Sequence, residues 1–249
     1  MPRTVLCYHA ISSEWRHDLA VSAGLLERHV RLLLRRGFRP VSAAEAVRDG
    51  GRGKILHVTF DDAFVSAAAG LRVLERLGVP ATVFAVTSYA EDGRPLAVPE
   101  LAAEAALRPE QLATMDWDAL RGLVERGVEV GSHTETHPRL TALLSDEELG
   151  RELRDSRARC EDELRRPCRF LAYPYGAHDP AVQRAARRAG YEAAFALGAG
   201  ADAHNPFALP RIDLYGYDGT IRAAVKTSPL GRPAAGLLWR TRRRRLSPS

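Results

Sequence analysis

The sequence predicts a single α/β barrel built from about seven strand–helix units. Three observations lead there. Strand-like and helix-like segments alternate along the whole chain. A length of 249 residues suits one closed barrel and is short for two domains. Polar clusters stand where predicted strands end, and such barrels carry their chemistry on that face. Residues 1–230 are read as the barrel and 231–249 as an Arg-rich tail.

Each element has its own signal. Residues 4–8 form a short apolar strand that ends at His9. A helix opens at Ser22 and runs to about 36, with Leu25, Val30 and Leu33 or Leu34 at helical spacing and Gly37 closing it. Ser42 caps a short helix through 47. Residues 54–60 are a strong strand that ends in Asp61-Asp62. A helix over 63–77 stops at Gly78, and 81–86 is strand again. Residues 87–113 show no period and scatter Gly93, Pro95, Pro99 and Pro109, so they are expected to be a long loop with about one helical turn. Helix 117–126 ends at Gly127, and strand 128–132 ends at His133. Ser145 and Glu148 form a capping box that starts a helix to about 164. Strand 170–173, helix 179–188 with Pro180 in its first turn, strand 191–197 and a weaker segment at 211–214 complete the pattern.

Composition excludes several classes. Hydrophobic residues make up 45% and charged residues 27%, which fits a globular chain with a sizeable core. The net charge of +5 equals the five Arg in the last ten residues, Arg240 and Arg242 to Arg245. The barrel itself is therefore balanced, unlike a nucleic-acid-binding domain. Three Cys with no close pair argue against structural disulfides and for a reducing compartment. The first residues lack the apolar core of a secretory signal, and no stretch approaches a membrane span, so a cytoplasmic enzyme is expected. The Arg240–Arg245 run, beside Leu237, Leu238 and Trp239, can touch an anionic membrane surface; the plainer reading is a flexible, solvated terminus.

Three motifs can carry chemistry. Asp61 and Asp62 follow a strand, where a turn can aim both carboxylates into one cavity with different tasks; the plainer reading is a helix-capping pair. His133 and His137 lie four apart and can share a metal if the segment turns tightly, with Thr134 bonding the turn; the plainer reading is two surface His. With one aspartate they make a two-His, one-carboxylate set suited to zinc, cobalt, nickel or iron. In Tyr173-Pro174-Tyr175-Gly176, the turn can aim a backbone N–H at a ligand and the rings can wall a sugar; the plainer reading is an ordinary strand-ending turn.

Thr59 to Asp62, Ser132-His133-Thr134 with His137, and Ala172 to Gly176 together resemble the polysaccharide deacetylase family, the nodulation-factor deacetylase homology domain of carbohydrate esterase family four. The resemblance covers roughly 54–200. It implies a distorted (β/α)7-type barrel and metal-dependent removal of acetyl groups from N-acetylated sugars or glycans. It implies Asp61 as the base, Asp62, His133 and His137 as ligands of one divalent metal, zinc first, and the Tyr175 N–H as oxyanion donor. Tyr173, Pro174, Tyr175 and Arg211 are expected on the substrate side.

The sequence also departs from the family. Ala63 stands where Gly is usual, Ala172 where many members have the Arg that contacts the base, and no late Leu-x-His motif is present. Arg211 is expected to replace the missing charge. Tyr8-His9 resembles the Tyr-His motif of the branch that deacetylates poly-β-1,6-N-acetylglucosamine, which implies His9 as the acid. Two rival functions share the fold: an amide or imide hydrolase of a small non-sugar substrate, and a non-catalytic glycan-binding module.

Overall fold

The computed structural model describes residues 3–48, 53–142, 145–198 and 200–228. The Arg240–Arg245 run lies outside them. The strands are β1 Arg3–Tyr8, β2 Arg39–Pro40, β3 Ile55–Phe60, β4 Ala81–Ala85, β5 Glu129–Ser132, β6 Phe170–Ala172, β7 Ala193–Ala196, β8 Leu209–Pro210 and β9 Ile212–Asp213. The helices are α1 Ala23–Arg35, α2 Ala43–Arg48, α3 Ala67–Arg76, α4 Thr87–Ala90, α5 Ala102–Leu107, α6 Pro109–Leu112, α7 Trp117–Glu125, α8 Asp146–Leu164, α9 Pro180–Arg188 and α10 Thr220–Lys226.

All strand pairings are parallel, and the order is β8-β7-β6-β5-β4-β3-β1-β9, with β2 added beside β3. The sheet comes round on itself at 209–213. Leu209 and Pro210 pair with β7, while Ile212 and Asp213 pair with β1. Arg211 is the single residue between them, so it sits at the seam of the nearly closed barrel.

Strand periodicity sorts the side chains. Leu6, Tyr8, Leu56, Val58, Phe60, Val83, Leu171 and Ala194 belong to the large cluster beneath the surrounding helices. Val5, Phe84, Phe170, Ala172, Phe195 and Leu209 form a separate cluster that fills the lumen. The lumen has no slack at Gly131: an added Cβ would lie 2.6 Å from the Phe84 ring and 2.7 Å from the Phe170 carbonyl oxygen. Extending the inward series by one step at each C-terminal strand end reaches His9, Asp61 and His133. That periodicity gathers them at one mouth.

The helices follow their sequence signals. Ser22 accepts a hydrogen bond from the Leu25 amide, and α1 buries Leu26, Val30 and Leu33. Ser145 and Glu148 cap α8 reciprocally. Two expectations need correction. The helix expected over 63–77 starts at Ala67, because Asp62 and Ala63 take left-handed backbone (φ 66° and 49°) and turn the chain first. Residues 87–113 hold three short helices, α4 to α6, rather than one turn; they enclose a second cluster of Trp15, Phe64, Val86, Leu96 and Leu112. Among the described residues no helix is long and apolar enough to cross a membrane.

Candidate functional site

Asp61 continues the β3 ladder, its amide donating to the Tyr8 carbonyl. Asp62 is the first left-handed residue after it, and this reversal brings two adjacent carboxylates to one cavity. Left-handed backbone is strained for any residue with a Cβ. Six described non-glycine residues adopt it, and Asp62, Ala63, Thr134, His137 and Tyr175 are five of them. The φ of 49° at Ala63 also accounts physically for a position where glycine would be unstrained.

The His133–His137 segment is a tight turn, not a helix. The Ser132 hydroxyl accepts from the Thr134 amide (3.0 Å), and the Thr134 hydroxyl accepts from the His137 amide (3.1 Å). Glu152, from α8, was not anticipated. Its carboxylate accepts from the Glu135 and Thr136 amides at 2.9 Å and from the Thr136 hydroxyl at 2.5 Å. It is nearly buried and holds the turn from beneath.

His133 donates from Nδ1 to the Ala172 carbonyl oxygen (2.8 Å), which leaves the Nε2 lone pair facing Asp62. Burial pushes the His133 pKa down to about 4, so the ring is neutral. Asp62 Oδ1 lies 3.6 Å from His133 Nε2 and 3.4 Å from His137 Nε2. That oxygen is buried and has no hydrogen-bond partner among the described residues. Such an orphan is costly unless a cation completes it. Two zinc bonds of about 2.0–2.1 Å at a tetrahedral angle place their donor atoms about 3.4 Å apart. One carboxylate and two imidazoles at these separations fit a divalent metal.

Asp61 is bound differently. Arg211 forms a two-pronged ion pair with it, Nη1 to Oδ1 at 2.5 Å and Nη2 to Oδ2 at 2.8 Å. Arg211 Nη1 also donates to Thr59 Oγ1, and the Cys7 thiol donates to Asp61 Oδ2 at 3.4 Å. Burial alone would raise the Asp61 pKa; Arg211, with His133 assisting, outweighs it and holds the carboxyl well below the usual range. Burial keeps the Cys7 thiol protonated and able to donate. His9, half-buried, places a ring nitrogen within 4.8 Å of ligand atoms of Cys7 and Asp61.

The expected substrate-side residues divide. Tyr173 is fully buried, with its hydroxyl on the Phe207 carbonyl oxygen (3.0 Å) and its ring stacked on His178, so it belongs to the core and offers no face to a sugar. Pro174 is also buried, and it shapes the turn. Arg211 is completely buried against Asp61, so it serves the carboxylate rather than a ligand. Tyr175 remains at the rim, its ring edge-on to His137 at 4.8 Å.

A parallel barrel with a two-His, one-carboxylate cluster and a second carboxylate at its C-terminal mouth defines a barrel hydrolase site suited to a metal. The sequence profile described as polysaccharide deacetylase matches residues 48–194, more than half of the chain, and the chain belongs to that family. Membership supports removal of acetyl groups from a sugar or glycan as the reaction class. No curated protein sequence matches significantly. The fold is similar to that of Streptococcus pyogenes deacetylase PplD in complex with acetate, with 20% identity, 91% of this chain and 98% of that chain covered, and a TM-score of 0.75. It is also similar to IcaB from Ammonifex degensii (24% identity, 89% and 95% covered, TM-score 0.71). A de-N-acetylase from Aggregatibacter actinomycetemcomitans is similar too (21% identity, 88% and 98% covered, TM-score 0.69).

Proposed function

We propose that this chain is a metal-dependent hydrolase that removes the acetyl group from an N-acetylated sugar or glycan. The observation that carries the proposal is the orphaned Asp62 Oδ1 facing two imidazole nitrogens, beside an Asp61 held ionised by Arg211. Asp62, His133 and His137 would hold one divalent ion, zinc by the mixed nitrogen and oxygen donor set. Bound there, the ion would supply a more acidic water and a polarised acetyl carbonyl.

The chain's own residues do the rest. Asp61 is ionised throughout the working range and accepts the proton of the attacking water. The Tyr175 backbone N–H donates to the developing oxyanion. His9, at the C-terminal end of β1 beside Asp61, gives a proton to the leaving amine, without which the C–N bond would not break. The C–N bond is replaced by a C–O bond, and the products are acetate and a free amino sugar.

Acetate release across a panel of N-acetylated sugars, with and without chelator, tests the reading. Release that stops with chelator and returns with zinc is expected. Activity indifferent to chelator would overturn the metal assignment, and no release from zinc-loaded protein would overturn the reaction.

A further inference from the structure

We infer that Glu100 and Arg139 are positioning residues that clamp the Tyr175 side chain and so aim its backbone N–H at the acetyl oxygen; this rests on the deacetylase reading above. Tyr175 adopts φ 57°, ψ 13° in the middle of its turn. A bulky residue keeps such a conformation only where its surroundings determine it. Here three contacts close around one ring. The Tyr175 hydroxyl donates to Glu100 Oε2 at 2.7 Å. The Arg139 guanidinium carbon stands 4.2 Å over the ring centroid. Arg139 Nη2 lies 3.6 Å from Glu100 Oε1, which closes the triangle. His137 takes the ring edge at 4.8 Å.

Neither clamp residue fills the core. The Glu100 and Arg139 side chains are 36% and 32% exposed. Their contacts converge on Tyr175 and reach it from two directions. Arg139 follows the metal-side turn by two residues. Glu100 lies in the excursion between α4 and α5. That excursion belongs to the longer segment 87–115: it pairs with the segment's far end, where Pro95 bridges Ala113 and the Leu96 amide donates to the Leu112 carbonyl. That end lies beside the Asp61–Asp62 turn, where Phe64 bridges Thr114, the Met115 amide donates to the Ala63 carbonyl and the Val65 amide donates to the Ala113 carbonyl. One segment therefore touches both the carboxylate turn and the residue proposed to steady the oxyanion. Its geometry sets the distance between the two halves of the reaction.

The test uses the full zinc-loaded chain and a sugar that the wild type turns over. Glu100→Ala and Tyr175→Phe should each lower kcat about tenfold or more, short of the roughly 10²–10³ for deleting an oxyanion donor outright. KM should stay within about twofold, since substrate binding is not the step affected. Bound zinc and the thermal midpoint should be nearly unchanged. Amide hydrogen exchange over 173–177 should quicken in both variants. Glu100→Gln, whose side-chain oxygen still accepts from Tyr175, should keep most of kcat. Unchanged kcat in Glu100→Ala and Tyr175→Phe, with acetate released by the wild type, overturns the clamp alone; so does a loss carried wholly by KM. If the wild type releases no acetate, the deacetylase reading falls and the clamp's catalytic role falls with it.

Discussion

Replacing Arg211 by Met keeps much of the side-chain volume and removes the charge that faces Asp61. In the wild type both partners of that pair are almost completely buried, and the guanidinium makes both hydrogen bonds to the carboxylate. Arg211→Met leaves a buried carboxylate whose desolvation is opposed only by the nearby His133 and His9 rings and the Cys7 thiol. Breaking a buried pair in this way costs about 3–5 kcal/mol, a large share of the roughly 5–15 kcal/mol that holds a domain together. Removing the second charge should return most of it, so Arg211→Met with Asp61→Asn is expected to be at least about 2 kcal/mol more stable than Arg211→Met alone.

The pH dependence has a definite sign. The folded Asp61 pKa is depressed, so its contribution is present above the ordinary carboxylate range and is lost as pH falls through the folded value. Arg211→Met should therefore lose the wild type's acid tolerance. Urea unfolding of the metal-free proteins, followed by the buried Trp15 and Trp117, reads these differences. The lumen position Ala172 lines the same cavity, since it packs with Phe84 and the Arg211 guanidinium also lies over the Phe84 ring (5.6 Å). Ala172→Arg in the Arg211→Met background should thus recover part of the stability and turnover. A loss under about 1 kcal/mol in Arg211→Met, or a double variant no better than the single one, would show that the pair does not hold the buried carboxylate.

Three further outcomes are expected. Glu152→Ala frees the turn that carries His137 and should weaken zinc binding about 10- to 100-fold by competition with a chelating dye, with the fold retained. Burial, aided by Glu192 and opposed by Arg169, pushes Glu129 up to about 7 at the far end of the barrel. Its protonated form stabilises the fold below the ordinary value of 4.5, and this contribution, at most about 3.5 kcal/mol, is lost as pH rises through about 7; Glu129→Gln should flatten that loss in thermal melts. Gly131→Ala forces a methyl against Phe84 and the Phe170 carbonyl and should cost about 1–3 kcal/mol or more by denaturant unfolding.

Much of the site was legible because strand ends are local. His9, Asp61 and His133 each follow a recognisable strand, and period two turns them toward one mouth. Arg211 was legible only through the family resemblance, which marks Ala172 as a position where many members carry an Arg; in this chain the seam between β8 and β9 sets Arg211 on Asp61. Glu100 and Glu152 were not legible. Glu100 meets Tyr175 across 75 positions, and nothing in its neighbourhood marks it. Glu152 sits in a helix rich in Glu and Arg, where one inward carboxylate looks like its solvated neighbours. The short helices α4 to α6 escaped because four to six residues give no period to read. Tyr173 misled because adjacency to Pro174 and Tyr175 says nothing about which ring faces the core.

In the proposed mechanism the two neighbouring carboxylates divide the work, Asp62 holding the metal and Asp61 taking the proton. Zinc content and acetate release, measured together in Asp61→Asn and Asp62→Asn, test that division. Asp61→Asn is expected to keep wild-type zinc and lose turnover, whereas Asp62→Asn is expected to lose both. Zinc lost equally from both variants, or turnover surviving in Asp61→Asn, would contradict it.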